Sequence, residues 1–209
     1  MKVGILGGTF DPIHLGHLLM AESAREILEL RQVLFVPAGD PPHKQELPIT
    51  PACHRQAMVE LALAHNPFFE LSPVDLDRSG PHYSTETVQL LQKRYDLPPE
   101  LCYFIIGSDS LQDLPTWHRP AELIKICRLA VARRPGSLPD LTSLEASLTG
   151  LSDQLTWVEM PLVGISASDI RARARAGQSI RYQVPDGVGE YIQKHQLYRK
   201  IQNKGKFGN

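Results

Sequence analysis

Two histidines three positions apart, His14 and His17, close the run Gly7-Gly8-Thr9-Phe10-Asp11-Pro12-Ile13-His14-Leu15-Gly16-His17. An imidazole can donate a hydrogen bond to a phosphoryl oxygen, and its protonated form adds charge there. The glycines contribute differently. They follow Lys2-Val3-Gly4-Ile5-Leu6, an apolar run of strand length, and precede Leu18 to Leu28, where helix formers carry apolar residues at helical spacing. Strand, glycine turn and helix in that order gather unpaired backbone N–H groups and a helix N-terminus at one point, which suits phosphate. Two histidines three apart at that helix start share one face of it.

Other chemistries fit this run less well. No Lys-Ser or Lys-Thr follows the glycines, so it is not a P-loop, and Gly4, Gly7 and Gly8 lack the G-x-G-x-x-G spacing of dinucleotide turns. His-x-x-His could bind a metal, but no third ligand stands nearby and H-E-x-x-H does not occur, so no metal ligands are assigned. Taken alone, the stretch also reads as a structural turn. Over its full length, Gly-Gly-Thr-Phe-Asp-Pro-x-His-x-Gly-His resembles the nucleotide-binding signature of the adenylyltransferase and cytidylyltransferase superfamily, whose second half is its H-x-G-H element.

A second candidate lies far along the chain, in Gly164-Ile165-Ser166-Ala167-Ser168-Asp169-Ile170-Arg171. Ser166 with Asp169 reads as a capping box starting a helix to Ala176, stopped by Gly177. Capping accounts for the serines; hydroxyls in a first turn with Arg171 one turn on also make a phosphate-binding helix start. Between the two candidates lie several single residues with two readings each. Lys44, in Pro41-Pro42-His43-Lys44, is either a solvated lysine or a phosphate contact stiffened by its prolines. Gly80-Pro81-His82-Tyr83-Ser84-Thr85 leads into a helix whose first N–H groups are capped by Ser84 or Thr85, or receive an anion such as a carboxylate. Asp109, just past a strand in Gly107-Ser108-Asp109-Ser110, suits either a helix cap or a ribose diol. Trp117, in Leu114-Pro115-Thr116-Trp117-His118, either plugs the core or stacks on a planar ring. Arg133 and Arg134 close another strand, solvated or anion-binding.

The elements that must position these residues alternate. Strands are expected at Gln32–Pro37, Phe68–Ser72, Leu101–Ile106, Leu129–Ala132 and Leu155–Met160. Helices are expected from Thr50 or Pro51 to His65, over Thr87–Arg94 and Pro120–Ile126, and from Val184 through Gln193. Residues 137–153 show only a weak helical period. Alternation of this kind predicts an α/β fold, Rossmann-like, with a doubly wound, mainly parallel sheet covered by helices on both faces.

The totals agree with a soluble enzyme. The 209 residues can bury a sizeable core, and neither repeat nor linker divides them, so one domain over 1–209 is expected, with 199–209 a frayed tail. A net charge of −1 gives no extended basic field for nucleic acid. Cys53, Cys102 and Cys127, without a C-x-x-C, read as reduced and mostly buried thiols. No signal-peptide pattern and no bilayer-length apolar run occur, so a cytoplasmic location is expected and no membrane partner. Whether the chain works as monomer or homo-oligomer is not written in these features.

From end to end the chain resembles the bacterial nicotinate-nucleotide adenylyltransferase family. The resemblance is carried by Gly7–His17, Pro41-Pro42-His43-Lys44, Gly80–Ser84, Ile106–Asp109, Leu114–Trp117, Arg133-Arg134-Pro135-Gly136 and Ile165–Arg171. It implies adenylyl transfer from ATP to nicotinate mononucleotide, giving deamido-NAD and pyrophosphate, with Mg2+ accompanying the ATP. It also implies roles. His17 would be the chief catalytic group, with His14 and Arg171; Ser166 and Ser168 would join Arg171 on the β- and γ-phosphates. Gly8, Thr9 and Phe10 would shape the cradle, Thr9 and Lys44 would hold the mononucleotide phosphate, and Arg134 would act on the phosphate side. Gly107 and Asp109 would serve the ribose and Ile165 the adenine. Trp117 would stack on the pyridine, with Tyr83, Ser84 and His118 around its carboxylate. Ser84, His82 and His118 depart from the residues common in the family, and all three fall near the implied pyridine pocket. The nearest rival is adenylyl transfer to the amide mononucleotide; a nucleotide-binding module without turnover is the other.

Overall fold

The computed structural model describes residues 1–39, 49–133 and 139–199. Six strands, β1 (Val3–Gly8), β2 (Gln32–Pro37), β3 (Phe69–Leu71), β4 (Cys102–Gly107), β5 (Arg128–Arg133) and β6 (Leu155–Glu159), form one sheet in the order β3-β2-β1-β4-β5-β6. Every pairing is parallel, from Val3 opposite Gln32 in β1/β2 to Leu129 opposite Leu155 in β5/β6. This is the doubly wound order expected from the alternation, and its direction of winding reverses between β1 and β4.

Side chains alternate across the sheet with period two, so each strand feeds two cores. Leu6, Val33, Phe35, Ile105 and Ala130 face α1 (Leu15–Leu28), α2 (Ala52–Leu63), α8 (Ala167–Arg175) and α9 (Asp186–Lys194). Ile5, Leu34, Val36, Phe104 and Val131 face α3 (Ser84–Tyr95), α4 (Ser108–Asp113), α5 (Pro120–Ile126), α6 (Leu141–Ser147) and α7 (Leu151–Gln154). Cys102 and Cys127 are buried in this second core, and burial pushes the Cys102 thiol up to about 12; Cys53 is exposed. Among the described residues no helix is long and apolar enough to cross a membrane.

Of the differences from the sequence reading, three have a clear local reason. The first helix starts at Leu15 rather than Leu18, because His14 takes the extended cap position and the His14 N–H donates to His17 Nδ1 at 3.2 Å. The third helix starts at Ser84 with Tyr83 at its cap, not Ser84 or Thr85. Residues 141–147 form a helix that the weak period did not define. Asp140 caps it by accepting from Thr142 N–H and Ser143 N–H at 3.0 and 3.3 Å, a start signal present in the sequence. The motif around Lys44, Arg134 and the tail 200–209 lie outside the described residues.

Candidate active site

At the carboxyl ends of β1, β2 and β4, astride the switch point, opens a cleft of about 430 Å³. Its floor is Leu6-Gly7-Gly8-Thr9 and Ile105-Ile106-Gly107, with His17 on one side and Asp75, Tyr83, Ser84, Trp117 and His118 on the other. Residues far apart in sequence, Gly8, Thr9, His17, Tyr83, Ser84, Gly107, Asp109, Trp117 and His118, thus share one cavity, as expected for a common site.

The glycine turn explains its own residue types. A Cβ on Gly8 would lie 3.0 Å from the Phe10 ring, and Phe10 itself turns the chain at φ 49°. Phe10 is buried, its ring meeting His17 edge-on at 5.1 Å and Phe35 at 5.9 Å. It shapes the turn from beneath and is not part of the cleft wall. Gly16 has the same logic: a Cβ there would lie 3.1 Å from His14 Cε1 and Nδ1, so the glycine of the H-x-G-H element is the space the first imidazole occupies. The two rings stack at 3.7 Å and 25°. Because His17 Nδ1 accepts the His14 main-chain N–H, the neutral ring carries its proton on Nε2, which is then a donor.

The second candidate segment meets the first. Arg171 Nη1 donates to the Asp11 carbonyl at 2.7 Å across 160 positions of chain, and Val163 approaches Gly16. Ser166 caps α8, accepting from Asp169 N–H at 3.1 Å, and its hydroxyl donates to Asp169 Oδ2 at 2.7 Å; the Ser168 hydroxyl stands 3.2 Å away. Ile165 packs at the edge of the core under α1. His14, Ile165, Ser166, Ser168 and Arg171 lie outside the lining of the main cleft; His14 stacks on His17 and Arg171 reaches the run at Asp11.

The opposite wall is assembled differently. Trp117 packs edge-on against Phe104 at 6.1 Å, as its core reading expected, and also lines the cleft. Tyr83 and His118 stack at 4.0 Å and 22°. Gly107 holds the cap position of α4, and Asp109 sits exposed in the first turn, so the capping reading of Asp109 is not what the helix uses. Arg133, at the end of β5, pairs with Glu159 at 2.9 Å and covers Trp157, a strand-to-strand contact rather than an anion site.

Several organising residues were missed. Asp75 is buried at the wall, receiving Arg78 Nη2 at 2.9 Å and the Thr87 hydroxyl at 2.9 Å, while Arg78 also reaches Glu86 at 3.1 Å. Asp11 is buried under the turn and accepts from Tyr198 O–H at 2.7 Å and Thr50 N–H at 3.2 Å; burial, then this bond, pushes the Tyr198 phenol up. Arg55 is buried at the start of α2. Asp11 stands inside the Gly7–His17 run and only its role as a buried acceptor went unread; for Asp75, Arg78, Arg55 and Tyr198 the sequence signal was weak. Each is a charged or polar residue in an otherwise ordinary helix or loop, and solvation is the default for such a residue.

A glycine turn beneath two stacked imidazoles thus stands at the switch point of a doubly wound sheet, the place where ligands bind in open α/β folds. Residues 5–173 match the cytidylyltransferase-like family. A protein of Thermomicrobium roseum named "Probable nicotinate-nucleotide adenylyltransferase" is 50% identical over 96% of this chain and 93% of its own length. One of the same name from Roseiflexus sp. is 46% identical over 94% and 98%. The fold is shared with the Plasmodium falciparum nicotinic acid mononucleotide adenylyltransferase. Its complex with NaAD aligns at a TM-score of 0.75 and 18% identity over 94% of this chain and 97% of that one. The chain belongs to the cytidylyltransferase-like family and, within it, to the nicotinate-nucleotide adenylyltransferases.

Proposed function

We propose that the chain transfers the adenylyl group of ATP to nicotinate mononucleotide, giving deamido-NAD and pyrophosphate. The observation that carries this reading is the Arg171–Asp11 bond, which sets a guanidinium and the capped start of α8 beside the glycine turn and the His14–His17 pair. A phosphate oxygen of the mononucleotide attacks the α-phosphorus of ATP. The new P–O bond forms as the bond to the β-phosphate breaks, and the electron pair leaves with pyrophosphate. The nucleophile is already an anion, so no general base is needed, and catalysis consists of alignment and charge stabilisation.

In this reading the His17 Nε2–H donates to the transferring phosphate, and stacked His14 holds that ring and contacts the triphosphate. Arg171, Ser166 and Ser168 take the β- and γ-oxygens. Gly8 and Thr9 offer backbone donors over the Phe10 bend, and Thr9 with Lys44 takes the mononucleotide phosphate, with Arg134 on the phosphate side. Gly107 and Asp109 receive the ribose, Ile165 the adenine. Trp117 stacks on the pyridine, and the start of α3 at Tyr83 and Ser84, with His118, receives the carboxylate; the side chain of Tyr83, at the cap, makes no bond to that helix. Mg2+ enters as the chelate of ATP. Imidazole, hydroxyl and guanidinium donors suit phosphate oxygens, whereas Mg2+ takes oxygen ligands and keeps several waters.

The test is a side-by-side measurement of pyrophosphate and dinucleotide formation with the acid and the amide mononucleotide. A higher kcat/KM for the acid is expected. Preference for the amide would move the assignment to the amide reaction, and no pyrophosphate with either would leave a binding module.

A further inference from the structure

Arg55 is among the largest fully buried side chains of the protein, 1% exposed, and it is a cation. Its Nε donates to the Thr50 carbonyl at 2.9 Å, Nη1 to Thr9 and Ala38 at 2.9 and 2.7 Å, and Nη2 to Gly39 at 3.1 Å. The carbonyls come from three segments: the glycine turn, the exit of β2 and the approach to α2. Asp11 supplies the nearby negative charge. Filling space does not require this arrangement, since Met58, Val59 and Leu63 already pack α2 on the core, and a buried charge is costly to desolvate. What a guanidinium adds is a planar fork of donors in fixed directions, which neither lysine nor an apolar residue reproduces.

The carbonyls it holds belong to both sides of the cleft. Thr9 and Ala38 line it, and Ala38 N–H donates to Gly8 at 2.9 Å. Gly39 is pressed against the opposite wall: a Cβ there would lie 2.4 Å from the Asp75 carbonyl and 2.8 Å from His82 Cε1. A shift of the Arg55 fork therefore moves the phosphate turn relative to Asp75 and His82, which adjoin Tyr83 and Ser84.

We propose that Arg55 is a positioning residue that sets the distance between the phosphate turn and the ring-side wall, and so governs capture of the mononucleotide. The mononucleotide's identity rests on the function proposed above. The test compares wild type, Arg55→Lys and Arg55→Met by melting temperature and by separate KM values. In both variants KM for the mononucleotide is expected to rise roughly ten- to hundredfold, with KM for ATP changing less than about threefold. A lower melting temperature with both KM values unchanged, or equal rises in both, overturns the proposal. If the Arg55 variants do not fold, Gly39→Ala pushes the same wall with the guanidinium retained and must give the same split; no split overturns it. Should wild type turn over neither mononucleotide, the catalytic reading falls on its own. The positioning role is then decided by amide hydrogen exchange in Arg55→Lys: faster exchange at Ala38 with Ile105 unchanged supports it, and no change at Ala38 overturns it.

Discussion

The two sides of the cleft are built on opposite principles. The phosphate side is local: eleven consecutive residues from Gly7 to His17 supply turn, cap and both imidazoles, and distant residues, among them Arg55, Arg171 and Tyr198, brace them. The ring side draws Asp75, Tyr83, Trp117 and His118 from three segments and is held by a buried cluster of Asp75, Arg78 and Thr87. In the proposed reading the phosphate side works mainly through backbone donors and ordered rings, and the ring side through side chains whose placement depends on partners. Damage to the first should therefore slow chemistry, and damage to the second should change what is bound.

The largest effect is expected at His17. Its Nε2–H points away from the bond that fixes the ring, so His17→Ala removes a donor that matters most as charge shifts in the transition state. A fall in kcat of about 10²- to 10³-fold is expected, with the melting temperature nearly kept. Steady-state kinetics at saturating substrates check it. A kcat within a few-fold of wild type would make the stacked pair a structural feature of the turn and end the contrast between the two sides.

The same contrast explains what the sequence made legible. Strand alternation and the run Gly7–His17 yielded the doubly wound parallel sheet and the glycine turn, because these depend on short-range periodicity and on glycines with a local job, as at Gly16. Arg171 was legible as a candidate by its place after a capping box, although its bond to Asp11 spans the chain. Arg55, Asp75 and Tyr198 were not legible as organisers. Nothing near them in sequence marks burial, and their partners, Thr9 with Ala38, Thr87, and Asp11, come together only when the sheet has formed. The start of α1 was misjudged for a related reason: a histidine at the cap position, bonded from its own N–H to His17, is not among the usual cap residues.

Trp117 tests the ring side at intermediate strength. Its ring packs edge-on against Phe104, so Trp117→Ala should lower stability by about 2 kcal/mol as a partly buried aromatic, less than for a fully buried one. Its cleft face should show separately, as a rise in KM for the mononucleotide of about tenfold with KM for ATP little changed. Equal changes in both constants would assign Trp117 to the core alone.

The smallest expected effect is the most discriminating. Arg78 neutralises part of the negative charge that Asp75 and Glu86 bring to the wall. Arg78→Gln leaves Asp75 with the Thr87 hydroxyl but without its cation, so a substrate carboxylate meets a more negative wall while a neutral carboxamide does not. Unit charges about 8 Å apart at an effective ε near 40 interact by about 1 kcal/mol, so the acid-to-amide ratio of kcat/KM should fall about fivefold. Glu86→Gln removes a half-exposed negative charge and should raise the ratio by a smaller factor. Loss of folded protein cannot mimic this pattern, because both substrates are turned over by the same folded fraction and their ratio is unaffected by its size. An unchanged ratio in both variants would mean that the wall's charge is invisible from the pyridine, and that selection for the acid rests on the backbone at the start of α3.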